Sequence, residues 1–117
     1  MSKPVIEIHS LESVPWKPVM NKEGVAVKGM SEKVLSKNPD NGVATRLIKV
    51  EPGVETFDVS SHDNVGEEVY IIRGGIIDKR NNLILTEGMY GCRPPGTKHG
   101  PYSFPIGALI LEFRYKD

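Results

Sequence analysis

The fold of this chain is decided by the stretch Gly88-Met-Tyr-Gly-Cys-Arg-Pro94-Pro-Gly96-Thr-Lys-His99. A glycine is followed, after five residues, by Pro-x-Gly, and after two more residues by a histidine. Proline and glycine in this order are typical of a tight turn, because proline presets its own φ and glycine accepts a positive one. The turn fixes where the following strand enters the fold, so it would aim His99 at a defined place.

A second segment of similar character lies upstream. His62 is followed by Glu67 and, beyond the apolar run 69–72, by Gly74. An apolar run bounded by turn residues predicts a strand. The two segments occur in order with a hairpin between them, so we interpret them as two β-hairpins that carry His62, Glu67 and His99 to one place.

The two adjacent glutamates of this strand cannot both point into the fold. Side chains alternate across a strand, so Glu67 shares its face with Val69 and Ile71, while Glu68 falls on the opposite face with Tyr70. We therefore expect Glu67 to point inward and Glu68 to face solvent.

Together, His62, Glu67 and His99 would form a set of two imidazoles and one carboxylate. Such a set leaves positions open for water or substrate, and it suits one divalent ion of iron, manganese, nickel or zinc. Each residue alone also has an ordinary explanation, as a solvated loop histidine or part of a charged strand edge. The single Cys92 excludes zinc fingers, iron–sulfur ligation and an internal disulfide, and we expect it to be a small buried thiol.

The remaining sequence predicts an all-β protein. Apolar and β-branched runs bounded by glycine, proline and asparagine indicate around ten short strands, which must bury a face in a sandwich or barrel. Residues 32–35 could instead form one helical turn, and Gly74-Gly75 is expected to end the strand before it. Leu111 and Phe113 alternate with charged residues in a half-buried strand. The predicted strands cover 5–9, 25–28, 32–35, 44–50, 54–59, 67–72, 76–78, 83–85, 90–93 and 111–115.

The amino-acid composition limits the kinds of partner that this chain could bind. The chain has 117 residues with 15 basic and 15 acidic side chains, so it offers no basic face for nucleic acid and no cationic tail for a membrane. It has no spanning apolar run and no signal-peptide core, and we expect a cytoplasmic protein. The N-terminal strand 5–9 is set apart by prolines, and we expect it to pair in a partner subunit of a homodimer.

The two segments resemble a known family. Residues 88–99 resemble the second conserved motif of the cupins, and residues 52–74 resemble the first. Further pieces, from Trp16-Lys-Pro onward, resemble small single-domain cupins akin to the C-terminal domain of ChrR-type anti-sigma factors. The resemblance implies an all-β double-stranded β-helix, the cupin jelly-roll barrel. It implies one domain over 1–117, with an N-terminal strand or arm at 1–20 and a core barrel holding both motifs at 44–115.

Carried over residue by residue, the family's metal ligands become His62, Glu67 and His99. The chain departs from the family at Ser60, which stands where the first motif usually has its earlier histidine. Ser60 would lie on the same face as His62 and could hydrogen-bond a metal-bound water, although a hydroxyl is a poor ligand.

Two functions fit these residues. The resemblance implies a metal-dependent enzyme, a dioxygenase or an isomerase, that acts on a small carbonyl-containing molecule, or else a non-catalytic module that senses a small molecule or a metal. Metal-free sugar epimerisation would need a histidine–aspartate pair, which His62 and Asp63 cannot supply because adjacent residues of a strand face opposite ways. No catalytic acid or base is assigned.

Overall fold

The computed structural model describes residues 2–116 and is almost entirely β, as predicted. A 3-10 turn at Leu11–Ser13 precedes nine strands. These are β1 (Lys17–Met20), β2 (Ala26–Lys37), β3 (Ala44–Val50), β4 (Val54–Glu55), β5 (Gly66–Asp78), β6 (Leu83–Thr86), β7 (Tyr90–Arg93), β8 (Tyr102–Phe104) and β9 (Ala108–Tyr115). The described part of the chain holds no helix long and apolar enough to span a membrane. Met1 and Asp117, the ends of the predicted domain, lie outside the described residues.

Two antiparallel sheets share strand β5. The first sheet has the order β1-β2-β3-β9-β5-β7, and the second has the order β4-β8-β5-β6. The prediction that Gly74-Gly75 ends the strand is wrong, because β5 continues through both glycines and changes its partners there. Gly74 has a φ of 81°, and a Cβ on it would lie 2.7 Å from the Cα of Ala108. Glycine therefore lets β5 bend from one sheet into the other.

The core lies between the sheets and follows the alternation along β5. Val69 and Ile71 are 7% and 0% exposed and point inward with Glu67, whereas Tyr70 is 43% exposed on the outer face. The predicted orientation of this strand is confirmed, including the outward Glu68. The buried apolar cluster consists of Ile48, Val50, Val69, Ile71, Ile76, Phe104, Ala108 and Ile110.

Several predicted strands change their length. The strand at 44–50 is confirmed as β3, and the one at 90–93 as β7. The two strands predicted at 25–28 and 32–35 form the single strand β2, which excludes the helical alternative. The strand predicted at 54–59 extends only over Val54–Glu55, because the following residues leave the sheet and run beside the interior cavity.

Residues 5–9, which the sequence predicts to form a strand with a partner subunit, form no strand within the described chain. Val5 is 90% and Ile8 103% exposed, so neither side chain packs against the rest of the described chain. β-propensity alone does not make a strand without a partner. A side-chain hydrogen bond from Lys3 Nζ to Thr45 Oγ1, at 2.9 Å, ties the beginning of the arm to the barrel. The homodimer predicted through this segment stays a prediction.

Strand β9 shows its polar face to the interior at one end. Ala108, Ile110 and Glu112 are buried, whereas Phe113 is 38% exposed. The half-buried strand predicted at 111–115 is confirmed as the end of β9, where the buried residue is the charged Glu112 because this end of the barrel is filled by ion pairs. The acidic residue in the middle of an apolar pattern therefore lies inside.

Candidate metal centre

The interior of the barrel contains a cavity of about 460 Å³. Its apolar wall includes Ile48, Val69 and Ile110, all buried core residues. The charged and histidine side chains in its lining are Arg46, Asp58, His62, Glu67, Arg93, His99, Glu112 and Arg114. A larger surface depression of about 740 Å³ lies along residues 2–5, 37 and 39, but its lining contains no histidine or carboxylate. The barrel cavity contains both His62 and His99 together with Glu67, and we take it as the candidate site.

His62, Glu67 and His99 meet in this cavity. Each offers one donor atom, and the three atoms lie within 4.8 Å of one another. The prediction that the two segments bring these side chains together agrees with this geometry. Glu67 is buried, and the two histidines are half-buried. Two imidazole nitrogens and a carboxylate oxygen at this spacing can converge on one ion.

Backbone hydrogen bonds hold the two histidine segments side by side. Ser60 and His99 exchange both of their backbone bonds, at 2.9 and 2.8 Å. The amide of Gly96, in the Pro-x-Gly turn, donates to the carbonyl of His62 at 2.8 Å. The turn therefore aims His99 as the sequence predicts, and it also anchors the loop that carries His62.

The Glu67 carboxylate is oriented from two sides. His62 Nε2 lies 3.1 Å from Glu67 Oε1, and Arg114 Nη2 lies 3.5 Å from the same oxygen. Arg114 directly opposes Glu67 across β9 and β5, so the register places both side chains on one face. His62 and Arg114 together fix the direction of the buried Glu67 carboxylate.

His99 carries the observation that favours a metal. Its Nε2 atom is buried and has no hydrogen-bond partner among the described residues. Burial is the main cause that lowers the pKa of His99, which favours the neutral imidazole. A neutral imidazole with a free, inward nitrogen is the form that a metal requires. The residues present therefore fit a divalent transition metal.

Ser60 and Cys92 differ in their positions. Ser60 lines the cavity with His62, as expected from the departure in the first motif. Cys92 is exposed, so the expectation of a buried thiol is wrong. The register explains this, because Cys92 opposes Glu68 on the outer face of β5 and β7.

A chain of charges across the barrel was missed from the sequence. Arg46 binds Glu32 and donates to Glu112 Oε1 at 2.7 Å, and Arg114 Nε lies 3.2 Å from the same Glu112 oxygen. Since Arg114 also contacts Glu67, the chain of ion pairs runs from β2 through β3 and β9 to the site. Arg46 shares its face of β3 with the apolar residues Ile48 and Val50. This alternation is the sequence signal that could have predicted an inward-facing Arg46.

Two further polar side chains face the same cavity. Tyr102 packs beside His99, with 6.3 Å between ring centroids, and burial raises its pKa to about 12. Arg93 Cζ lies 5.6 Å from the centroid of the Tyr102 ring. Tyr102 lines this cavity, whereas Trp16 packs elsewhere, against the ammonium groups of Lys33 and Lys49.

An antiparallel barrel of two sheets, with two histidines and a carboxylate converging on an interior cavity, defines a small cupin. The chain belongs to the ChrR Cupin-like domain family, which matches residues 6–115. The resemblance found in the sequence is confirmed by this match.

Solved structures share the fold at low sequence identity. KdgF from Halomonas sp. gives a TM-score of 0.73 at 17% identity, over 97% of this chain and 96% of that one. An acetylacetone dioxygenase from Acinetobacter johnsonii gives 0.69 at 17% identity, over 99% and 75%. The complex of SigE with the anti-sigma ChrR from Rhodobacter sphaeroides gives 0.64 at 16% identity, over 92% and 52%. At these identities the likeness shows the fold alone. Among curated proteins, none matches this chain significantly.

Proposed function

We propose that this chain is a metal-dependent enzyme that acts on a small carbonyl-containing molecule. His62, Glu67 and His99 would hold one divalent ion of iron, manganese, nickel or zinc. The observation that carries the proposal is the convergence of three donors within 4.8 Å of one another, one of them a buried nitrogen without a partner. Three protein ligands leave positions open on the cavity side for a substrate oxygen or water.

The residues around these donors have separable roles. A bound divalent ion would supply Lewis-acid polarisation of a carbonyl oxygen. Arg114 orients the Glu67 carboxylate, and the apolar wall with Val69 excludes water from one side of the cavity. Tyr102 keeps its proton at neutral pH, since its pKa is about 12, and it can donate a hydrogen bond to a substrate oxygen. Dioxygenation and isomerisation of a dicarbonyl or keto compound both fit these roles.

Family membership supports a second candidate function. The chain belongs to the ChrR Cupin-like domain family, and ChrR itself is an anti-sigma protein bound to SigE in a solved complex. A module of this kind would bind a metal or small molecule in the same cavity and pass the signal to a protein partner. Saturable binding without turnover would favour this function over catalysis.

The metal is tested with a matched pair of variants. We expect untagged wild-type protein and Glu68→Gln to contain close to one transition metal per chain by elemental analysis. Glu67→Gln removes the inward carboxylate and should lower the bound metal at least about tenfold under the same dialysis. Glu68 is the adjacent residue on the opposite face, so its variant controls for loss of charge alone.

Equal metal content in both variants would contradict the assignment of Glu67. Absence of metal from the wild type, even after reloading, would remove the metal-dependent function. With the metal identified, a panel of dicarbonyl compounds separates the candidates, since oxygen uptake or isomer formation indicates an enzyme. Binding without product across the panel would favour the sensing module.

A further inference from the structure

Arg93 directs its side chain into the cavity beside the candidate metal centre. It directly opposes Glu67 across β7 and β5, and opposed residues of an antiparallel pair share one face of the sheet. Since Glu67 is buried inside the barrel, Arg93 points inward as well, and it lines the cavity. Its guanidinium carbon lies 5.6 Å from the centroid of the Tyr102 ring, which supports the group from one side.

The guanidinium of Arg93 differs from the other two in the cavity. Arg46 and Arg114 are both held by carboxylates. Arg93 makes no side-chain hydrogen bond or ion pair with any residue between 2 and 116, although it is half-buried. A guanidinium carries five N–H donors in a rigid fork that matches a carboxylate. The one cavity arginine without an anionic partner is therefore available to a ligand.

The charge of the cavity favours an anionic ligand once a metal is bound. The lining contains three guanidinium groups and three carboxylates, those of Asp58, Glu67 and Glu112, so its formal charge is zero. A divalent ion would raise this charge to plus two. A small organic acid offsets that excess in a partly buried cavity, where charges interact more strongly than in water.

We propose that Arg93 binds the carboxylate of the substrate, so that the cavity takes a small organic acid that also bears a carbonyl group. The carbonyl end would reach the candidate metal centre, and the carboxylate end would pair with Arg93. This inference rests on the proposed function and names its substrate class. We favour a carboxylate over a phosphate because Arg93 is a single unpaired cation. One guanidinium can pair with both oxygens of a carboxylate, but it cannot satisfy all the acceptor oxygens of a phosphate dianion.

Succinylacetone tests this inference because it is a β-diketone with a separate terminal carboxylate, and its methyl ester is a neutral match of nearly the same shape. Binding is measured by isothermal titration calorimetry on metal-loaded protein. We expect the wild type to bind the acid about tenfold to a hundredfold more tightly than the ester, as for a charge-assisted hydrogen bond. Arg93→Gln should abolish this preference. Arg80→Gln, at the exposed 79–82 turn outside the cavity, should retain it.

Separate measurements distinguish a failure of this inference from a failure of the metal proposal. Elemental analysis of Arg93→Gln should give the wild-type metal content, because Arg93 is not a ligand. If the wild type holds no metal, the comparison of acid with ester on metal-free protein still tests Arg93. An Arg93→Gln protein that keeps the preference for the acid would overturn the inference, and so would a wild type that binds acid and ester equally.

Two further measurements complete the test. Inorganic phosphate that competes more strongly than succinylacetone would overturn the assignment to carboxylates. If Arg93→Gln does not fold, Arg93→Lys keeps the charge and loses the fork, and we expect it to retain only part of the preference. An Arg93→Lys protein that prefers the acid over the ester as strongly as the wild type would contradict bidentate pairing of the guanidinium with the carboxylate.

Discussion

Replacement of Arg46 by methionine should destabilise the barrel far more than replacement of a surface ion-pair partner. Arg46 is the centre of the interior charge chain. It donates two hydrogen bonds to Glu112, at 2.7 and 3.3 Å, and one to Glu32. Its side chain is 17% exposed and that of Glu112 is 6% exposed. Arg46→Met would therefore leave a buried carboxylate that has lost its closest cation.

The magnitude follows from the geometry of this pair. Removal of one partner from a buried ion pair costs about 3–5 kcal/mol of unfolding free energy. Arg114 still lies 3.2 Å from Glu112, so we expect the low end, about 3 kcal/mol. Replacement of both partners, in Arg46→Met with Glu112→Leu, leaves no unpaired charge at this position. The double variant should return to within about 1 kcal/mol of the wild type.

The assay is urea unfolding of metal-free protein, with both single variants and the double variant in one thermodynamic cycle. At a slope of about 1.5 kcal/mol per molar urea, Arg46→Met should lower the midpoint by about 2 M. Lys79→Met is the control, because Lys79 pairs with Glu55 at 2.8 Å while both are substantially exposed. Such a solvent-screened pair should contribute far less to the unfolding free energy than the buried pair. Equal losses for Arg46→Met and Lys79→Met would refute the buried-pair argument.

Two further predictions concern the backbone and pH. Gly74 and Gly88 both have positive φ, but only at Gly74 would an added Cβ collide with the backbone of Ala108. Gly88→Ala should therefore lower the unfolding free energy by roughly 1 kcal/mol, and Gly74→Ala should lower it by several times as much. Urea midpoints of the two variants check this, and similar losses would contradict it. Burial lowers the pKa of His99, so the unfolded chain binds a proton more readily, and metal-free protein should lose stability as the pH falls below about 6.5. His99→Gln should lose less over the same pH range, and a parallel pH profile would contradict the assignment.

The sequence is informative where local rules decide the structure. The glycine-proline spacing predicts the turn before His99, and the alternation in β5 predicts that Glu67 points inward while Glu68 points outward. Both conclusions depend on residues close together in the chain, where turn chemistry and strand periodicity act. The convergence of His62, Glu67 and His99 could be proposed because two such local motifs occur in the order that a known family uses.

Long-range register could not be predicted in the same way. Arg46 meets Glu112 because β3 pairs with β9, and the two residues are separated by 66 positions in the chain. In β9 both faces carry apolar residues, so alternation alone does not reveal that Glu112 lies inside. The inward orientation of Arg93 likewise depends on its pairing with Glu67 rather than on its own sequence neighbours.

The position of the candidate metal centre follows from the way the barrel divides its interior. Apolar residues such as Ile71 fill one part, and the alternating charges of Arg46, Glu112 and Arg114 fill another. The chain of ion pairs ends at Glu67, whose carboxylate is oriented by Arg114 in the cavity. Arg93 lies beside this end without an anion of its own. A cation at the three donors would add positive charge there, and an organic acid is the ligand that balances it.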